Sequence, residues 1–298
     1  MLTFSYQFVF FVVGIKDKEG WSEEANRLGV TVENFMSGWT TDHGRRTTGC
    51  SFGKHKMSTR FENIIGRHQH EFHRVVPFNP RDERLTGIDL TAANKEVTEE
   101  IFNETESFSE YINKKRHEGA AKYLVGGYNE LRALYGRSEL FSVDNNGGAL
   151  QQEAEPRRLH LGMDIWGEVG TPVYAPLGGM IHSFAFNHHY GDYGATIILL
   201  HQLEGFPFYT LYGHLSLQDI QNISAGKYVS RGAVIAHFGE PHENGHWPPH
   251  LHFQVILNME MKEGDYPGVC RYSEKEKYLN NCPDPDLILQ LRRFAVSV

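Results

Sequence analysis

Cysteine is scarce in this chain. There are three in 298 residues, and none sits in a CxxC pair. That excludes a disulfide-built scaffold. Long apolar runs are also missing. The run Tyr6 to Ile15 is too short to cross a bilayer, which takes roughly 20 residues. It is a poor signal peptide too. No Lys or Arg precedes it, and Lys16, Asp17 and Lys18 follow it in place of a small-x-small site. The expectation is a cytoplasmic protein without a transmembrane helix, with Cys50, Cys270 and Cys282 as free thiols. Export to the cell envelope is the alternative. Positive charge is in deficit, with 29 Lys+Arg against 37 Asp+Glu and a net charge of −8. A nucleic-acid binder working through a basic face is thereby excluded. Internal repeats and low-complexity tracts are absent. The rest is ordinary globular composition, 40% hydrophobic and 12% aromatic. Histidine is what abounds: 17 residues, eleven of them between His160 and His252. Clustered histidine points to metal binding or acid–base work.

Residues 1–56 carry no usable motif and are expected to be an appendage, or to precede a translation start at Met57. Residues 57–150 read as a mixed, partly helical extension. Val97, Ile101, Phe108 and Ile112 recur at helical spacing over 91–117, with Gly119 as a stop. Asp144-Asn145-Asn146-Gly147-Gly148 is a loop by composition, and a boundary is placed there. Residues 151–265 change to short strands, such as GATIILLH, PFYTLYGHL and HLHFQVIL, punctuated by Gly, Pro, Asn and Asp. Residues 266–298 form a C-terminal extension. Within it Asp284-Pro285-Asp286 starts a short helix.

Strand alternation sorts the histidines. His160, Gly162 and Asp164 share one face, with Gly162 leaving a gap that a metal ion could occupy. His250 and His252 share a face, while Leu251, Phe253 and Val255 enter a core. His214 falls on the face of Tyr212 and Thr210, opposite Leu211 and Leu215. Four histidines and one aspartate thus lie on the polar faces of three strands. A catalytic zinc site uses three protein ligands and an open position, so five residues suffice for ligands and helpers. Periodicity alone does not divide them.

The runs RLHLGMDIW, GTPVYAPLGGMIHSF, FYTLYGHLS, GKYVSRGAVIAHFG and PPHLHFQV together resemble the lysostaphin-type (LytM-like) zinc metalloendopeptidases. The resemblance covers Arg157 to Ile256. It implies a mainly β fold, a two-sheet antiparallel β-sandwich, barrel-like and of the duplicated hybrid motif type. Here that unit carries an N-terminal α-helical extension and a short C-terminal helix. It implies Zn2+ held by His160, Asp164 and His252, with His214 and His250 as the catalytic pair. The implied reaction is hydrolysis of peptide bonds in peptidoglycan or peptides derived from it. An inactive LytM-like binding module is the alternative, and the presence of all five site residues counts against it. A cupin-like oxygenase expects a Glu soon after the HxH, where Gln254, Val255, Ile256 and Leu257 stand.

The stretch Gly239 to Pro249 is longer than the family pattern, and it places His242 and His246 at the cleft rim. His246 is a candidate substrate contact. The preceding segment Gly126-Gly127-Tyr128-Asn129-Glu130-Leu131-Arg132 is also familiar from relatives. Tyr128 and Arg132 are candidate substrate-binding residues, with Arg132 gripping a carboxylate bidentately. The alternative is a surface loop pinned by Tyr128. His182, His201 and His237 are read as ordinary strand residues. His188 and His189 are read as exposed loop residues, and His68, His70 and His73 as a polar segment.

Overall fold

A computed structural model describes residues 50–142 and 155–296. The expectations for residues 1–49 and the boundary near 150 lie outside the described residues. Helix α1 spans Cys50–His68 and so runs through Met57. Phe61, Ile64 and Ile65, at one- and three-residue steps, are its buried stripe. The helical pattern expected over 91–117 is realised as α2 (Glu99–Asn103) and α3 (Thr105–Glu118). Glu104 breaks it by taking extended backbone, and Gly119 caps the C-terminus of α3 as expected. Beyond the β region come α4 (Lys275–Asn281) and α5 (Asp286–Leu289), the latter starting after Pro285.

The fold is mainly β. Strands β1 (Leu85–Gly87), β2 (Tyr123–Gly126) and β3 (Glu130–Leu131) precede the gap in the described residues. After it come β4 (Leu159–His160), β5 (Met163–Trp166), β6 (Pro172–Tyr174), β7 (Gly179–Asn187), β8 (Gly194–Leu203) and β9 (Phe206–Leu215). The last are β10 (Tyr228–Val229), β11 (Val234–His237), β12 (His250–Ile256), β13 (Val269–Cys270) and β14 (Ala295–Val296). Nine strands form one sheet in the order β10-β7-β8-β9-β12-β5-β2-β1-β14. Its pairs are antiparallel except β1 with β2 and with β14. Two smaller sheets, β11-β6 and β13-β4-β3, complete it. The N-terminal extension is therefore part of the main sheet, through β1 and β2.

Alternation along β12 divides the interior. Leu251, Phe253 and Val255 enter the main core with Ile197, Tyr212 and Phe61. The other face carries His250, His252 and Gln254, with Ile256 in a second cluster around Leu161, Tyr193 and Tyr266. A third cluster sets Phe108 of α3 against Trp166 and Trp247. The polar face of β12 is thus flanked by apolar groups on both sides.

Candidate metal centre

Register brings the first two ligand candidates together. β12 pairs with β5 so that His252 stands directly opposite Asp164. His160 arrives from β4, in a different sheet. HxxxD is therefore not one strand, because Leu161 and Gly162 carry the chain from one sheet to the other. The gap expected at Gly162 is filled by protein: a Cβ there would run into the His252 imidazole. His160 Nε2 lies 2.9 Å from His252 Nδ1 and 3.4 Å from Asp164 Oδ1. His252 Nδ1 lies 3.2 Å from Asp164 Oδ1. Ligand atoms about 2.05 Å from a tetrahedral zinc stand about 3.3 Å apart, so the donors present fit that ion. Among the described residues, these three form the group able to hold a metal.

The outer nitrogens set the tautomers. His160 Nδ1 donates to the Gly127 carbonyl at 2.8 Å. His252 Nε2 donates to Gln254 Oε1 at 2.9 Å, while Gln254 Nε2 donates to the Pro267 carbonyl. A carbonyl oxygen only accepts, so the lone pairs fall on His160 Nε2 and His252 Nδ1, facing each other. His214 Nδ1 donates to the Asn244 carbonyl at 2.7 Å, and His250 Nδ1 to the Pro248 carbonyl at 2.8 Å. Their Nε2 atoms are left as acceptors. The two rings are 4.1 Å apart, and His250 stacks on Trp166 at 3.9 Å.

His214 reaches the site by breaking alternation. Tyr212 and Leu215 both point into the main core. Between them the β8–β9 register shifts, so that Gly213 and His214 together oppose Thr196. This bulge, with His214 at φ 64°, turns the imidazole to the opposite face from Tyr212 and Thr210. The face assigned by parity is corrected accordingly. Left-handed backbone at a non-glycine residue costs about 1–3 kcal/mol. The buried bond to Asn244 helps offset it.

Burial holds His160 and His250 down to about 4 and His214 well below its usual value. All three rings are neutral at pH 7, the state that donates a lone pair. Burial works against charge on Asp164 as well, but His160 and Arg132 outweigh it, and its carboxyl stays well below the usual range. A cavity of about 110 Å³ opens over the centre, lined among others by His160, His214, His250, Trp247 and Asp192.

The remaining sequence candidates sit elsewhere. Tyr128 donates its hydroxyl to the Cys282 carbonyl at 2.8 Å, so it pins the loop rather than presenting itself to a ligand. Arg132 is 2% exposed and paired with Asp164 and Glu130 inside the protein, not offered to a substrate carboxylate. His246 is exposed, does not line the cavity, and its ring lies tilted beside Tyr190, 5.3 Å between centroids. His201 is a buried strand residue bonded to Thr210. His237 meets Asp219, and His188 and His189 are exposed. His68 bridges Glu71 and Glu204. Cys270 and Cys282 are free and buried. Sequence reasoning missed Gln254, Asn244 and Trp166. Trp166 and Gln254 lie inside the runs RLHLGMDIW and PPHLHFQV, but their roles follow from contacts across strands and loops.

Residues 158–263 match the model of Peptidase family M23. No curated protein matches the chain. Among solved structures, the chain is similar to the catalytic domain of the antimicrobial peptidase lysostaphin from Staphylococcus simulans. That match has 24% identity, covers 57% of this chain and 97% of that one, and has a TM-score of 0.32. A zinc-containing peptidase from Vibrio cholerae matches at 24% identity over 40% of this chain and 35% of its own, TM-score 0.28. The catalytic domain of the prophage-encoded M23 protein EnpA from Enterococcus faecalis matches at 19% identity over 42% and 85%, TM-score 0.28.

Proposed function

Because residues 158–263 match the model of Peptidase family M23, we propose a zinc-dependent endopeptidase that hydrolyses peptide bonds in peptidoglycan or muropeptides. One observation carries the reading. Three neutral or anionic donors converge within 3.4 Å of one another beneath a cavity that also holds His214 and His250, each with Nδ1 engaged by a backbone carbonyl.

His160 Nε2, Asp164 Oδ1 and His252 Nδ1 would hold the ion. Zinc, when bound, supplies a Lewis acid that polarises a carbonyl and makes water more acidic. The chain's own residues do the rest. An Nε2 of the His214–His250 pair accepts the proton of the attacking water. Once protonated, that nitrogen donates to the developing oxyanion or returns the proton to the leaving amine. Trp166 stacks on His250 and Asn244 holds His214, so neither ring has to be ordered during reaction. Trp166 and Trp247 give the cavity an apolar wall beside the two histidines.

Zinc content and turnover on a panel of muropeptides and glycyl peptides, read by mass spectrometry, test this. His160→Ala and Asp164→Ala are expected to lose zinc. His214→Ala and His250→Ala are expected to keep zinc and lose kcat by about 10²-fold or more. A fully active His250→Ala protein overturns the assigned roles. A zinc-loaded wild type that binds the panel and cleaves none of it leaves a binding module instead.

A further inference from the structure

We propose that Arg132 is a positioning residue of the metal centre, holding Oδ2 of Asp164 so that this carboxylate offers the metal one oxygen only. The inference rests on the reading of His160, Asp164 and His252 as zinc ligands.

The geometry is specific. Arg132 Nη1 donates to Asp164 Oδ2 at 2.6 Å, the oxygen turned away from the two histidines. Asp164 Oδ1 alone faces His160 Nε2 and His252 Nδ1. Arg132 Nε donates to Glu130 Oε2, which fixes the plane of the guanidinium. The Tyr135 hydroxyl lies 3.4 Å from Nη1. The backbone is held as well, with Arg132 N donating to the Arg158 carbonyl next to β4. Nη2 is buried without a partner and packs against Gly127.

Burying a guanidinium among two carboxylates is costly, and a well-packed apolar group in its place is often neutral or better. The arrangement is therefore a poor stability device and a good orienting one. Lysine would not reproduce it, because a point ammonium cannot address Asp164 and Glu130 along fixed directions. The same turn serves the second ligand. Gly127 has φ 105°, its carbonyl holds His160 Nδ1, and a Cβ there would collide with both Arg132 and His160. Residues 127–132 lie ahead of the family match at 158–263. Outer partners of two of the three ligands thus come from the extension, while Gln254 serves the third from within the domain.

The test uses the full chain as wild type, Arg132→Lys and Arg132→Met. Zinc affinity is measured by chelator competition, the visible spectrum with Co2+ in place of zinc, and folding by circular dichroism. Both variants are expected to bind zinc about 10–100-fold more weakly, the usual effect of losing an outer partner. Their cobalt absorption is expected to fall, as Asp164 gains freedom to bind through both oxygens and raise the coordination number. Should Arg132→Met fail to fold, the lysine variant, which keeps the charge, decides. An unchanged cobalt spectrum in a folded variant overturns the proposal, with or without weaker affinity. So does an unchanged metal centre with KM raised and kcat kept, which would return Arg132 to substrate recognition. Failure of the underlying reading looks different: the wild type itself then binds neither metal.

Discussion

Each of the four histidines at the centre gives its outer nitrogen to a carbonyl oxygen, from Gly127, Gln254, Asn244 or Pro248. Tautomers are therefore set before any ligand arrives. Glycine is as necessary here as histidine. Gly162→Ala would push a methyl group into the His252 ring, so zinc binding should be lost although no ligand is removed, as metal analysis of the purified variant checks. Asp192, on the cavity wall, is the residue with a clear pH signature. Burial, reinforced by Asp265, raises its carboxyl to about 6. Its folded-state value lies above the unfolded one, so its contribution to stability is full below about 4 and is lost as pH rises through 6. Asp192→Asn keeps an acceptor for the Tyr193 amide and removes the buried charge. The variant should be more stable than wild type at pH 8, by about 1 kcal/mol or more, and match it below pH 4. Thermal melts across that range give the answer.

At the scale of elements, the bulge in β9 and the long loop before β12 act together. Asn244, fully buried, donates to the Gly239 and Trp247 carbonyls and accepts from the Trp247 amide. That knot presents its own carbonyl to His214. Asn244→Ala should lower kcat with zinc retained, because the carbonyl that orients His214 is no longer held in place. Comparing kcat and zinc content in one preparation separates this from metal loss. Helix α3 supports the other catalytic candidate. Phe108 packs edge-on to Trp166, on which His250 stacks. Phe108→Ala should cost about 3–5 kcal/mol of stability in a denaturant titration and reduce turnover at temperatures where the variant is still folded.

For the whole molecule, the sheet does not respect the expected domain edge. β2 lies against β5 with Gly126 opposite Asp164, and β3 lies against β4 with Glu130 opposite His160. A fragment of residues 155–296 would expose the β5 edge and strip the centre of Gly127 and Arg132. It should be insoluble or fail to retain zinc, as expression and metal analysis of the fragment would reveal. Removing zinc from the full chain with a chelator should lower its melting temperature, since metal bound only by the folded state stabilises it by about 4 kcal/mol at a thousandfold excess over Kd. Among the described residues no helix is long and apolar enough to cross a membrane.

The strands of the β region, the helix stop at Gly119 and, to within one residue, the helix start after Pro285 were legible because alternation, glycine and proline act locally. The pairing of His250 with His252 was legible for the same reason, being two steps along one strand. Other features were decided by tertiary structure. His160 and Asp164 meet across two sheets, His214 reaches the site through a bulge that overrides parity, and Arg132 faces inward to Asp164. Each depends on which strand lies beside which, and in what register. Backbone hydrogen bonding between distant segments sets that register, and spacing along the chain does not encode it.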